Sequence, residues 1–278
     1  ILPPTALSAC VFAVIVRDTR GQALSDLDRF NHFPASPLVA LTLVIEGEVR
    51  IVKGRANLEA ANSAPAVPRI AVSGAQTQPI TSWNVGPVLA VTIGIFPDAW
   101  MKLTGQSPDE MCDQTSLEVP QVLLGALERC LELREPEQIW DALSEDLLGL
   151  WQSAQSSGGF ATWLGKDRLT NWSKSLLARV ALAQSGKSLR AGERALKRWS
   201  GQNQQSLAFY SRLEDLHRLS LQDRGAPMAG IAQDAGFSDQ SHMGRTVRRA
   251  TGFSPAELNK QIASKEAFWC YRLLGERF

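Results

Sequence analysis

The 278-residue chain combines 44% apolar with 21% charged residues, an ordinary globular balance with length enough for two domains and a substantial core. Its 29 Lys+Arg against 28 Asp+Glu exclude a uniformly basic nucleic-acid coat and an acidic disordered tail. The near-neutral total conceals an asymmetry, since residues 1–165 hold 10 Lys+Arg against 18 Asp+Glu and residues 166–278 hold 19 against 10. A front half of −8 joined to a back half of +9 is the pattern of an acidic module coupled to one that meets a polyanion. Cys10, Cys112, Cys130 and Cys270 are scattered without a CxxC pair, which argues against a disulfide framework or zinc site and for thiols in a reducing cytoplasm. No run of 18 apolar residues occurs, and the first apolar stretch lacks the basic start and cleavage site of a signal peptide. A soluble cytoplasmic protein without a membrane partner is therefore expected.

The first hundred residues read as β-structure. Leu38–Val52 (LVALTLVIEGEVRIV) is β-branched and apolar, with Glu46-Gly47-Glu48 placed like a hairpin turn. A second run, Val88–Phe96, ends at Pro97, and the Ala/Pro-rich pieces with Gly74, Gly86 and Pro87 between the two runs are turn punctuation. Short strands separated this way predict a small barrel or sandwich. From Pro120 the period changes: Leu124, Leu127, Leu131 and then Leu143, Leu147, Leu150 recur at helical spacing on either side of Pro136. They predict an antiparallel helical pair carrying Trp140 and Trp151, either as core against the β-layer or as an exposed dimer seam. Gln155–Gly159 is the clearest linker, and everything beyond it reads as helix.

The strongest local signal is PMAGIAQDAGFSDQSHMGRTVRRATGFSP, Pro227–Pro255. Pro227 suits the first turn of a helix, and Ile231, Ala232 and Ala235 form its inner face. Gly236 permits a tight turn, Ser238 is the expected N-cap of the next helix, and Asp239 sits near that helix's positive end. Along that helix Met243, Val247 and Ala250 make an apolar stripe, while Ser241, Arg245 and Arg248 make a polar one, flanked by Gln240, His242 and Arg249. Gly252 ends it, and Ser254-Pro255-Ala256-Glu257 opens another as a capping box. An apolar-backed helix fronted by Gln, Ser, His and Arg fits a DNA major groove, where arginine bonds guanine bidentately. The bland alternative is a basic amphipathic surface helix.

At these residues the sequence resembles the AraC/XylS family of transcription regulators. IAQDAGFSDQSHMGRTVRRATGFSP follows that family's second helix-turn-helix signature, with Met243 and Val247 replacing the usual aromatics by other apolar residues. The resemblance implies a first helix-turn-helix upstream, and SLRAGERALKRWSG, Ser188–Gly201, lies at the matching distance. Arg190, Glu193 and Arg194 take its base-facing positions, with Ala195 and Leu196 inward. Gly192 replaces the expected leucine, at roughly 1 kcal/mol in helix propensity, and Gln204–Leu221 is the connecting helix. Arg179, Lys187, Lys197, Arg198 and Arg249 are candidates for phosphate contacts.

The resemblance also implies an α+β chain: a β-rich cupin-like sensor over 1–118, a helical pair at 119–157 for dimerisation, a linker at 158–172, and an all-α domain at 173–278 with two helix-turn-helix units joined by a long helix. The implied function is a sequence-specific transcription regulator, most often an activator. Its partners are promoter duplex DNA, RNA polymerase, a small-molecule effector and a second copy of the chain. A metal-binding cupin needs several His plus a Glu. Of His32, His217 and His242 only His32 falls in the β half, so no enzyme, cofactor or metal is expected, and His32 reads as a surface or core residue. Trp83 and Arg50 are candidates to line a ligand cavity. Two alternatives stand beside this: control by a protein partner, and a DNA-repair alkyl acceptor, which needs an activated thiolate that none of the four cysteines has neighbours to supply.

Overall fold

The computed structural model describes residues 1–54, 56–156, 169–186, 188–222 and 228–276. The front half carries seven strands: β1 (Val11–Asp18), β2 (Phe30–Phe33), β3 (Val39–Glu46), β4 (Val49–Val52), β5 (Ile70–Ser73), β6 (Ile80–Asn84) and β7 (Leu89–Ile95). They form two antiparallel sheets, ordered β1-β7-β3-β5 and β2-β6-β4. β3 and β4 therefore belong to different sheets, and Glu46-Gly47-Glu48 is not the expected hairpin but a corner between them. Gly47 takes φ +85°, and a Cβ there would approach the Pro87 carbonyl oxygen to 2.3 Å. Only glycine fits that corner.

Alternation along the four-stranded sheet decides where the core lies. The cross-strand pairs Leu41–Ile93 and Leu43–Val91 point into the main apolar core. The pairs Ala40–Gly94 and Thr42–Thr92 point the other way, towards the three-stranded sheet, with the two threonine hydroxyls 3.1 Å apart. Small residues on the facing side leave space, so a cavity of about 340 Å³ opens between the sheets.

The aliphatic face is covered by α2 (Pro97–Thr104), α3 (Gln121–Cys130) and α4 (Pro136–Ser156). In α3 the buried stripe is Leu123, Leu127 and Cys130, one position off the expected Leu124 and Leu131. In α4 it is Ile139, Trp140, Leu143, Leu147 and Trp151, with Leu150 only half-buried. Trp140 and Trp151 are thus core residues and do not form an exposed seam. A polar tie joins this layer to the next helix, α5 (Leu169–Ala183): buried Asp98, in the first turn of α2, accepts from Trp172 Nε1 at 2.7 Å and pairs with Arg179. The same core continues through Trp172, Leu176 and Val180 of α5 and Ala195 and Leu196 of α6 (Leu189–Ser200) to Leu207 of α7 (Gln204–Gln222).

The chain closes with α8 (Met228–Asp234), α9 (Gln240–Thr251), α10 (Pro255–Ser264) and α11 (Trp269–Glu276). The outer face of the three-stranded sheet, through Phe30, Val52 and Trp83, packs against Phe253, Phe268 and Tyr271 of this end. His32 lies in that contact, its ring 4.6 Å from Phe268 and 6.2 Å from Phe253, with Nδ1 3.0 Å from Thr81 Oγ1. Burial first, and the Lys265 charge second, lower its pKa to about 4. Below the ordinary value of 6.5 the unfolded chain takes up a proton that the folded one refuses, so stability falls as pH drops from 6.5 towards 4. At pH 5 this residue is expected to cost about 1–2 kcal/mol relative to pH 7.5, with allowance for its partial exposure. Urea midpoints at the two pH values check this, and an unchanged difference in His32→Gln would refute the assignment.

Candidate DNA-reading surface

Two helix-turn-helix units stand in the back half, α5–α6 and α8–α9, with α7 between them. α6 begins where Ser188 accepts the Ala191 N–H and ends at Gly201, a left-handed C-cap with φ +69°. It forms despite Gly192, where a Cβ would meet nothing within 4 Å. Ala195 and Leu196 are buried as expected, and Arg190, Glu193, Arg194, Lys197 and Arg198 are exposed. Leu189, in the first turn, is 89% exposed.

In the second unit Gly236 makes the tight turn at φ +77°. The N-cap of α9 is Asp239, not Ser238: the Asp239 carboxylate accepts the His242 N–H at 2.7 Å. That bond, above all, holds its pKa below the ordinary carboxylate value, with Arg245 contributing. The Ser238 hydroxyl instead lies 3.2 Å from His242 Nδ1. Met243, Val247 and Ala250 are buried, joined by Thr246 and Thr251. Gln240, Ser241, Arg245, Arg248 and Arg249 are exposed, while His242 is half-buried with its ring edge-on to Phe237. Gly252 closes the helix at φ +83°, and Ser254 caps α10 by accepting the Glu257 N–H. Ala232 and Ala235 are inward as expected. The side chain of Ile231, together with Lys187, Pro227 and most of the linker (157–168), lies outside the described residues.

One candidate phosphate contact fails. Arg179 is buried against Asp98, with 12% of its side chain exposed; it is a core cation unavailable to DNA. Arg249 is exposed, but its guanidinium stacks over Phe209 of α7 at 4.7 Å, which braces α9 against α7.

Both α6 and α9 end against the front half. The carbonyl at the end of α6 accepts from Ser107 (Arg198 O, 3.3 Å), and Gly201 abuts the Pro108 carbonyl. At the end of α9, the Ala250 carbonyl accepts the Ala35 N–H at 2.8 Å. The front half is thus in direct contact with the C-terminal ends of α6 and α9.

Residues 181–261 match the family model described as a helix-turn-helix domain. This stretch of the chain is similar to a helix-turn-helix domain. Helix-turn-helix domains commonly bind DNA. No curated protein matches the chain. Among solved structures, an apo lysine-to-alanine variant of ToxT from Vibrio cholerae strain SCE256 is 12% identical over 88% of this chain and 95% of its own, with a TM-score of 0.40. Wild-type ToxT of that strain with unsaturated fatty acid bound is 13% identical over 89% and 94%, also at 0.40. ToxT from Vibrio cholerae O395 is 11% identical over 91% and 98%, at 0.38. Among the described residues no helix is long and apolar enough to cross a membrane, and no cluster of three His, Cys, Asp or Glu stands ready for a metal.

Behind the helices lies the inter-sheet cavity, walled by β-strand side chains and closed from the helical half by Tyr210, Leu213, His217 and Trp269. Neither Trp83 nor Arg50 lines it. Trp83 faces the outer core, and Arg50 pairs with Glu48 and the Asn62 carbonyl. The residues that do line it were not singled out in the sequence. Their signal was available as Ala, Thr and Gly at alternate positions inside the Leu/Val/Ile runs of β3 and β7.

Proposed function

We propose that the protein is a sequence-specific transcription regulator that reads promoter DNA with α6 and α9 and is controlled by a small molecule held in its front half. The observation that carries the reading is α9: a helix with a buried apolar back, capped at both ends, presenting Gln240, Ser241, Arg245 and Arg248 outward. Those side chains suit base edges and phosphates of the major groove. Arg190, Glu193 and Arg194 are the corresponding set on α6. The cavity between the sheets favours a small-molecule effector over a protein partner, because a protein cannot enter it. Activation and contact with RNA polymerase follow the family resemblance. A second copy of the chain would pair through the outward face of α3, where Val122 is exposed, since the tryptophans of α4 are spent on the core.

The alkyl-acceptor reading is disfavoured by the thiols. Burial pushes Cys112 up, Cys130 to about 11 and Cys270 to about 12, the opposite of the lowered pKa that an activated thiolate requires.

Sequencing genomic DNA captured by the intact protein tests the proposal. The expected result is one enriched motif, whose retention falls steeply with salt. DNA recovered in proportion to the input genome would overturn it.

A further inference from the structure

α6 and α9 are built alike. Each has 12 residues and starts from a side chain that accepts the N–H three positions on, Ser188 from Ala191 and Asp239 from His242. Each ends at a glycine in the left-handed region, Gly201 or Gly252. In the last turn a buried hydroxyl donates to the carbonyl four residues back, Ser200 to Leu196 at 2.7 Å and Thr251 to Val247 at 2.8 Å. The same hydroxyl accepts the N–H two residues on, from Gln202 at 3.1 Å and from Phe253 at 3.2 Å.

These matching contacts put the two outward faces in one register. Arg194 holds the place of Arg245, Lys197 that of Arg248, and Arg198 that of Arg249. The faces differ towards their starts, where α6 has Leu189, Arg190 and Glu193 and α9 has Gln240, Ser241 and Gly244. Leu189 is 89% exposed. A lone exposed leucine is ordinary on a protein surface, but this one shares a stripe at i, i+4 spacing with Glu193 and Lys197, beside Arg190, Arg194 and Arg198.

The four cations of that face draw phosphates. Leu189 and Glu193 cannot, the first for want of charge and the second because it is repelled. Leu189 opens the helix, and the first turn of a groove-entering helix is the part that reaches base edges. A polar base edge pressed against leucine would lose water and gain no partner. One feature of the major groove is apolar, the 5-methyl group of thymine, and the partner suited to a carboxylate there is the 4-amino group of cytosine.

We propose that Leu189 selects a thymine by packing on its 5-methyl group, while Glu193, one turn along α6, accepts from the 4-amino group of a neighbouring cytosine. Gln240 and Gly244 make neither contact from α9, and Gln240 suits adenine instead, so the two halves of the DNA site differ in sequence. The inference deepens the reading of α6 and α9 as DNA-contacting helices and rests on it.

Replacing thymine by deoxyuridine removes the methyl group and leaves the hydrogen bonds of the base pair in place. Competition gel shifts at fixed salt, with the thymines of the captured motif replaced one at a time, test the proposal. One replacement is expected to weaken binding about three- to fivefold, the worth of one buried methyl group. Leu189→Ala should bind the thymine and deoxyuridine duplexes at that position alike, and Gln240→Ala should keep the difference. Unchanged thermal unfolding of Leu189→Ala is expected from its exposure. Glu193→Gln should lose the preference for cytosine at a pair beside that thymine. A motif with no methyl-sensitive thymine, a sensitivity that survives undiminished in Leu189→Ala, or a cytosine preference that survives in Glu193→Gln would overturn the proposal and leave the reading of function standing. Genomic capture that yields no motif would overturn both.

Discussion

Asp98→Ala is expected to lower folding stability by about 3–5 kcal/mol, the usual cost of removing one partner of a buried ion pair. Asp98 is 4% exposed and serves two groups at once, accepting from Trp172 Nε1 at 2.7 Å and pairing with Arg179. Alanine leaves both donors stranded in a core where Trp172 is already stacked on Phe96 at 5.5 Å. Its position in the first turn of α2, behind Pro97, adds a favourable interaction with that helix's positive end that alanine also removes. Asp98→Asn keeps an acceptor for the indole but no counter-charge for Arg179, so it should fall between the two. Arg179→Met in the Asp98→Ala background should recover part of the loss, because the uncompensated charge goes with it. Urea unfolding of the four proteins measures each term, and a loss below about 1 kcal/mol for Asp98→Ala would show the pair to be dispensable. The effect reaches beyond stability. α5 is the helix on which α6 packs, so this pair sets the first helix-turn-helix unit against the front half.

That pair was invisible in the sequence, where Arg179 reads as one more basic residue of a basic domain. What distinguishes it is a partner 81 positions away, and no local pattern reports such a contact. The second helix-turn-helix was legible because its determinants are local: a glycine at positive φ, a cap three residues before the N–H it accepts, an apolar stripe at helical spacing. Even so, the cap was placed at Ser238 where Asp239 serves, since both can bond a first-turn N–H. The strands were legible, but their pairing was not. Leu38–Val52 reads as two strands around a glycine whether they pair with each other or part into different sheets. The contact that decides it is with Pro87, again distant in sequence. The α3 stripe was misplaced by one residue because Leu123 and Leu124 are both leucine, and only the surface on which α3 rests chooses between them. The cavity was missed for a related reason. Alternating Ala and Thr in a strand signals a close-packed neighbour as readily as an empty space, and the location of the large side chains on the opposite face is what resolves it.

Arg245→Ala is expected to weaken binding to the captured DNA motif by about 1–3 kcal/mol and to relax discrimination at one base pair. The side chain is exposed midway along α9, between Ser241 and Arg248 on the same face, so its loss should leave folding stability unchanged within about 0.5 kcal/mol. Its neighbours serve as internal controls. Arg249 stacks on Phe209, and Arg249→Ala should therefore cost stability as well as affinity. Lys197 is an exposed point charge near the end of α6, and Lys197→Ala should weaken all sequences alike and reduce the salt slope by about one. Arg245→Lys separates charge from geometry: it keeps the phosphate attraction but not the planar fork that bonds guanine O6 and N7 together. If Arg245 reads a base, lysine should restore affinity for unrelated DNA without restoring discrimination at that position. If lysine restores both, Arg245 contacts the backbone and base choice at this helix falls to Gln240 and Ser241. Gel-shift titrations at fixed salt, against the motif and single-base variants of it, distinguish the two outcomes, and unchanged binding by Arg245→Ala would remove α9 from the reading surface.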